Sequence, residues 1–437
     1  MVNSIQTICP TRAARRFFGA RDPLDNSCES VAAGLGWAPR GLFAVNSTAI
    51  GKKNNAADRP SPADHRPRGV MQRVPSAVYW ALAMLFAMNA GLHPPSLNAQ
   101  TRIGYVAIEY ARIDNPGAVQ VIRSMNSTNE VAAGFKTNRR NASSALILLG
   151  NNSVEEIAVE QGTGNSVAYG INDQGEIAGA YNTSTAQRPF RSVRRVGFQE
   201  LSLPVGSNGG IAYAINEVGE AAGYVSGTAG IRPAWWTRRG EVQVLQSVGN
   251  LTTQALDLND RGDIVGVSGG QPRAAVLWPR KGGIVSLGTL PGFTHSEAVA
   301  ISENGSIAGL ATGLVAFPNR SRAVLWQPGG LAIQDLGALP GGTDSRARDV
   351  NNRGEVVGRS SSAKGNRAFL WTAATGMLDL NTLVTVPGLV MIDALSVNKR
   401  GDILVMGQDT STHAPGQADE HEDHHAARRI FVLRPLP

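Results

Sequence analysis

Cysteine is almost absent from this chain. Only Cys9 and Cys28 occur among 437 residues, which excludes a small disulfide-stapled scaffold. Aromatic residues make up 6% and charged residues 17%. Despite 50 glycines there is no strict glycine period, so a collagen-like rod is excluded. Long apolar runs are missing too. The stretch from Ala77 to Leu92 falls short of the ~20 residues that a membrane-spanning helix needs. What remains is a chain with 42% hydrophobic residues, many glycines and few aromatics. That balance favours a turn-rich β protein over a helical bundle. Length alone points to two or three domains, an expectation that internal repeats override.

The net charge of +7 is unevenly placed. Residues 1–99 carry 11 Lys and Arg against 5 Asp and Glu, while the other 338 residues carry 30 against 29. Both cysteines also lie in the first part. The basic balance therefore describes the N-terminus. A nearly neutral body with scattered basic residues gives no support to nucleic-acid binding. Residues 1–70 are rich in Arg, Ser, Asn and Pro without a sustained period, the composition of a disordered segment or a gene-model extension. A secretory signal pattern follows at 71–99. Arg73 gives the positive start, Ala77 to Met88 the apolar stretch, and Pro94 to Ala99 a polar, small-residue end, which predicts cleavage near Ala99. An uncleaved anchor is the alternative. Arg15-Arg16-Phe17-Phe18 has no apolar run behind it and reads as chance. The expected mature body, 100–437, is a secreted, cysteine-free protein with no membrane span after cleavage.

One short pattern recurs along that body. It reads AYGINDQGEIAG from Ala168, AYAINEVGEAAG from Ala212, ALDLNDRGDIVG from Ala255, AVAISENGSIAG from Ala298, ARDVNNRGEVVG from Ala347 and ALSVNKRGDILVMG from Ala394. A weaker first copy, IRSMNSTNEVAAG, starts at Ile122, with Asn129 in the glycine position. Asn is the next residue most tolerant of positive φ. The anchors are Asn126, Asn172, Asn216, Asn259, Ser302, Asn351 and Asn398, spaced by 46, 44, 43, 43, 49 and 47 residues. Alternating residues before the anchor read as a strand. The anchor can bond its own backbone two residues on, and Gly175, Gly219, Gly262, Gly305, Gly354 and Gly401 supply the left-handed residue of a turn. The second glycine, as in Gly179, weakens a strand interior and so marks a bulge or a close backbone approach.

A second element follows each hairpin, an Arg-to-apolar run that often ends in Trp: RPAWWT at Arg232, RAAVLW at Arg273, RAVLW at Arg322 and RAFLW at Arg367. A third comes about ten residues later, as in IVSLGTLPG from Ile284 and IQDLGALPG from Ile333. The Arg/Trp run occurs seven times, the last near Phe431. The third element follows it six times, and YVAIEYARI from Tyr105 supplies a seventh before the first hairpin. The chain thus begins partway through a unit and ends on the strand that unit lacks. Seven copies at this period predict an all-β, seven-bladed β-propeller with four strands per blade, closed by pairing of the N- and C-terminal strands. Closure removes the open edges that an unclosed sheet exposes.

The repeats resemble the HAF repeat family of bacterial extracellular proteins. The fullest copy runs from Arg322 to Gly358, with Leu325-Trp326, then Asp335-Leu336-Gly337-Ala338-Leu339-Pro340-Gly341-Gly342, then Ser345, Ala347, Val350-Asn351 and Gly354-Glu355-Val356-Val357-Gly358. The likeness covers roughly Ile103 to Leu433, is good from Ala255 to Trp371, and lacks the family's initial His. It implies a repeat fold and an extracellular or envelope location. It carries no catalytic residues, and the Gly-His and Trp-Asp signature of tryptophan–aspartate propellers is missing.

Few residues offer chemistry. No triad is recognisable. His295 sits alone in PGFTHS. The segment HAPGQADEHEDHHAARR, from His413 to Arg429, lies in a polar insertion at 408–428 that lengthens the last unit. Imidazole and carboxylate there make His421, Asp423, His424 and His425 candidate ligands for Zn²⁺, Ni²⁺ or Cu²⁺, against the plainer reading of a solvated loop. The stretch from Asp257 to Asp263 has oxygen donors in a glycine-bearing turn, but too few for the six to eight that Ca²⁺ takes. The adhesion-like tripeptide Arg261-Gly262-Asp263 arises inside the repeat. Trp278, Trp326 and Trp371, with Trp236, hold a fixed repeat position among apolar neighbours and read as blade packing rather than a sugar platform. The expected protein is a monomeric, secreted, non-catalytic scaffold without cofactor. It binds an extracellular ligand or protein by one face or the channel. A propeller enzyme acting on extracellular polysaccharide, a hydrolase or lyase, is the alternative.

Overall fold

The computed structural model describes residues 104–436 except 114–118, 137–142, 151–152, 160–164, 195, 250–251, 271, 315–316, 330–331 and 411–427. Within them the chain is nearly all strand. β1 (Tyr105–Ile113) precedes the first complete sheet, which is β2 (Val119–Met125), β3 (Val131–Lys136), β4 (Ser143–Gly150) and β5 (Ser153–Glu156). The second is β6 (Ser166–Ile171), β7 (Ile177–Asn182), β8 (Gln187–Val193) and β9 (Gly197–Glu200). The third is β10 (Ser207–Ile215), β11 (Ala221–Gly227), β12 (Gly230–Trp236) and β13 (Val242–Val244). The fourth is β14 (Gln254–Leu258), β15 (Ile264–Ser268), β16 (Ala274–Trp278) and β17 (Val285–Ser286). The fifth is β18 (Phe293–Ile301), β19 (Ile307–Leu314), β20 (Phe317–Trp326) and β21 (Ile333–Asp335). The sixth is β22 (Ser345–Val350), β23 (Val356–Ser362), β24 (Gly365–Thr372) and β25 (Gly376–Asp379), followed by one helical turn, α1 (Leu380–Leu383). The seventh combines β26 (Leu389–Val397), β27 (Ile403–Asp409) and β28 (Arg428–Pro435) with β1.

These are seven four-stranded antiparallel blades around a common axis, a seven-bladed β-propeller. The first strand of each blade touches the first strands of both neighbours, and β26 meets β2 to complete the circle. Closure is the expected one: β1 pairs antiparallel with β28 from Tyr105 opposite Pro435 to Ile113 opposite Arg428. Arg429 of β28 is bonded to Glu109 of β1 through both its Nε and Nη2. No helix among the described residues is long and apolar enough to cross a membrane.

The core lies between blades. Alanine at the fourth position before six of the seven anchors, as in Ala168, Ala255 and Ala298, is buried, and Ile122 takes that position in the first blade. The alanine leaves room for the branched and aromatic side chains of the adjacent sheet. The tryptophans behave as the repeat predicts. Trp236, Trp278 and Trp326 are buried, and their indole N–H groups donate to the carbonyls of Ser202, Gln246 and Leu287 at 2.8, 2.7 and 2.8 Å. Each ties the third strand of one blade to the chain leaving the blade before it. Trp371 is buried without a like bond among those described.

Strict alternation in the inner strands does not hold. In all seven blades the register between first and second strand slips by one residue just before the anchor, for example between Ala168 and Gly170 and between Ala255 and Asp257. The third residue before the anchor is therefore a bulge. The repeat glycine pairs with the residue before it, as Gly266 does with Ala255, and a Cβ on Gly266 would lie 2.0 Å from the Gln254 carbonyl oxygen. The insertion expected at 408–428 is also trimmed. Gln408 and Asp409 belong to β27 and Arg428 opens β28, so the extra residues connect the second and third strands of the seventh blade.

Candidate binding site at the axial channel

The turn after each inner strand is built by one side chain. Asn172 Oδ1 accepts from the amides of Gln174 and Glu176 at 3.1 and 2.9 Å, fixing the turn. Its Nδ2 donates to the Glu176 carboxylate at 3.1 Å and to the carbonyl of Asn216, in the next blade, at 2.9 Å. Asn216 reaches Asn259, Asn259 reaches Ser302, Asn351 reaches Asn398, and Asn398 returns to Asn126 at 3.2 Å. Asn126 completes the series to Asn172 at 3.0 Å. The anchors thus form a ring of amide bonds around the axis. Its one irregular step is at Ser302, whose hydroxyl is too short to span. There Asn304 donates to the Asn352 carbonyl at 2.9 Å instead. The turn glycines have positive φ, 73° at Gly175 and 78° at Gly262, and Asn129 takes the same conformation at 66°. Asn129 also accepts from Asn398 at 2.8 Å, so the divergent first copy serves the closing step.

The residues just after the anchors form a second ring on this face. Ser127, Asp173, Glu217 and Asp260 each offer a backbone N–H to the side chain of the next blade: Ser127 to Asp173 at 2.6 Å, Asp173 to Glu217 at 3.1 Å, Glu217 to Asp260 at 2.8 Å and Asp260 to Glu303 at 3.0 Å. Four carboxylates therefore crowd one mouth of the channel. Lys399 reaches in from the seventh blade, 3.2 Å from Asp173 and 3.5 Å from Glu217. Burial pushes Glu217 and Glu303 above the usual carboxylate range, and neighbouring acids add to it. Asp173 goes the other way: burial would raise it, but donation from Ser127 and Lys399 holds it down.

Deeper along the axis lies the ring of bulge residues: Arg123, Tyr169, Tyr213, Leu256, Val299, Arg348 and Leu395. A bulge re-aims its side chain, and here the re-aimed groups meet across the axis. The Tyr169 and Tyr213 rings stand edge to face at 5.2 Å. The Arg123 guanidinium of the first blade lies over Tyr213 of the third at 5.3 Å. Tyr213, Leu256 and Val267 share an apolar cluster with Tyr169, Tyr224 and Val299. Arg348 of the sixth blade pairs with Asp393 at 3.0 Å. The bulge ring is thus apolar and aromatic through blades two to five and carries its two arginines in blades six and one.

Two buried acids adjoin the bulges. Asp257 accepts from the Ile301 amide at 2.8 Å, and burial raises its carboxyl to about 8. Asp349 accepts from the Ser396 hydroxyl and the Val397 amide at 2.7 and 2.8 Å, and burial raises it to about 6. Paired, perturbed carboxyls resemble hydrolytic machinery. Each of these, however, is occupied in fastening one inner strand to the next.

The remaining candidates resolve as follows. His421, Asp423, His424 and His425 lie outside the described residues, as do the signal pattern and the segment 1–70. Among the described residues no group of three or more His, Cys, Asp or Glu is placed to hold a metal. The calcium-like stretch is dispersed, since Asp257 faces Ile301 while Asn259 Oδ1 accepts from the Asp263 amide at 3.0 Å. Arg261 folds onto Asp263 at 3.1 Å, so the adhesion-like tripeptide closes on itself. His295 lies within β18, and its Nδ1 accepts from the Arg273 amide at 3.1 Å. Asn165 and Asp344 accept in the same way at the matching positions, at 2.9 Å each.

The repeat pattern does not single out Arg123, Tyr169, Tyr213 or Arg348. The signal lies in the third residue before each anchor, where the copies range from Arg through Tyr to Leu and Val.

No family model matches the chain, and no curated protein matches it in sequence. Solved structures do match in fold. A streptogramin B lyase is 13% identical with a TM-score of 0.46, over 76% of this chain and 98% of that one. YCF48 bound to a D1 peptide is 12% identical with a TM-score of 0.45, over 79% and 98%. The β-propeller domain of the trilobed protease from Pyrococcus furiosus is 9% identical with a TM-score of 0.48, over 72% and 92%.

Proposed function

We propose that this protein is an exported, non-catalytic scaffold that binds an extracellular ligand or protein partner at its axial channel, at the bacterial envelope or outside the cell. One observation carries the reading. The repeated polar residues hold the fold together, whereas the residues of the bulge ring differ from copy to copy and are chemically uneven. Asn172 and its equivalents hold the blades, and the buried acids Asp257 and Asp349 are bonded to strand amides. Four consecutive blades offer Tyr169, Tyr213, Leu256 and Val299, and the other three offer Arg348, Leu395 and Arg123. Concave, mostly apolar walls with a few placed charges are what ligand sites need. The signal pattern at 71–99 supports export.

The test is to screen the purified protein against glycans and envelope polymers, following both binding and product formation. Saturable binding without turnover is the expected outcome. Turnover would sink the scaffold reading in favour of a hydrolase or lyase. Export is checked separately, by N-terminal sequencing of protein recovered outside the cytoplasm, which should begin at Gln100.

A further inference from the structure

The half-buried guanidinium of Arg123 differs from the other arginine of the bulge ring. Arg348 has Asp393 at 3.0 Å. Arg123 lies over the Tyr213 ring at 5.3 Å and forms no ion pair among the described residues. An interior cation without a counter-ion is costly to keep. Stacking on the ring face leaves the planar edge of the guanidinium, with its N–H donors, directed away from the ring. That edge fits a carboxylate through two parallel hydrogen bonds. Beside it stand Tyr169, Leu256 and Val299, an apolar wall suited to the body of the same ligand.

We propose that Arg123 and Tyr213 form a binding site for a monocarboxylate carried on an apolar or planar body, within the axial channel. This rests on the reading of the channel as a ligand site. Charge disfavours more highly charged anions. Asp173, Glu217, Asp260 and Glu303 ring the turn-side mouth, with Lys399 as the cation bonded among them. Their field repels a dianion more than a monoanion.

Calorimetric titration of the whole protein with benzoate, cyclohexanecarboxylate, benzamide and inorganic phosphate tests this. Both acids should bind saturably, and benzamide and phosphate at least about tenfold more weakly. Arg123→Gln should weaken benzoate at least about tenfold, and Arg123→Lys less, because an ammonium keeps the charge without the fork. Tyr213→Leu should weaken benzoate as well, which reads the site even if an Arg123 variant does not fold. The proposal is overturned if benzamide binds as well as benzoate, if Arg123→Gln leaves benzoate binding intact, or if neither acid binds by about 10 mM. Loss of the acids with polymer binding retained would refute this site and leave the scaffold reading. Polymer turnover with acid binding intact would do the reverse.

Discussion

Asn172 has every hydrogen-bonding position of its amide engaged, three bonds within its own turn and one to the next blade. Truncation would orphan the Glu176 amide in its own turn and the Asn216 carbonyl in the next blade. Asn172→Ala should therefore lower stability by about 2–4 kcal/mol, since each unsatisfied buried group costs about 1–3. Urea unfolding would measure it. The ring's irregular step offers the opposite test. Ser302→Asn restores a side chain of the right length and should add about 1 kcal/mol, read as a higher unfolding midpoint. Asp257 carries a pH signature. An ordinary Asp titrates near 3.8, whereas burial places this one at about 8. Between those values the folded protein keeps a proton that the unfolded chain has lost, so stability falls as pH rises from about 4 to about 8. Asp349 adds the same slope up to about 6. Asp257→Asn keeps an acceptor for Ile301, should flatten the slope, and should raise the thermal midpoint at pH 8. A thermal series in pH that showed no difference between the two proteins would refute this. Of these residues, Asn172 and its equivalents could be read in the sequence because turn chemistry is local. The ionisation of Asp257 could not, because it depends on the facing strand 44 residues away.

At the scale of the element, the inner hairpin shows where reading by period stops. Alternation places Tyr169 on one regular face. The slip between Ala168 and Gly170 instead makes it a bulge and turns it to the axis. Nothing in a single copy signals this. The paired glycine is the clue, since it removes the Cβ where the bulged strand approaches. Gly266→Ala would set a methyl group 2.0 Å from the Gln254 carbonyl oxygen. Because the obstacle is backbone, it cannot rotate away. The change should cost about 3 kcal/mol or more, and the unfolding midpoint measures it. Outer strands were harder to bound than to find. β17 is two residues long, Val285–Ser286, and both are exposed, so burial contributes little there. The turn of helix α1 was not foreseen. It starts where Asp379 Oδ1 accepts from the Asn381 amide at 2.9 Å, a local cap hidden inside a segment that reads as strand.

The whole ring depends on a seam between chain ends. Counting showed that the last unit lacked an outer strand and the first segment supplied one, so closure was legible from sequence. The ion pairs that fasten it were not, because Glu109 and Arg429 are 320 residues apart. Arg429 bonds Glu109 and also lies 3.5 Å from Asp409, while Arg112 lies 3.2 Å from the same Asp409. Donation from Arg429 holds Glu109 below its ordinary value. The backbone pairing from Tyr105 to Ile113 does the larger share of the work, because it also removes two open sheet edges. Two variants separate these contributions. Arg429→Glu places like charges together and should cost about 1–3 kcal/mol, partly recovered when Glu109→Arg is added. Deleting residues 428–437 removes β28, leaves β1 without a partner strand and β27 with an open edge, and uncovers Tyr110, Leu146 and Leu404, which pack with Ile430 and Val432. That chain should lose cooperative unfolding and aggregate rather than persist as a six-bladed ring, because the inner strands β2 and β26 already meet and leave no gap to re-close. Light scattering and denaturant titration would decide it. A soluble, cooperatively folding truncation would mean that the inner ring of amides, and not the seam, holds the propeller shut.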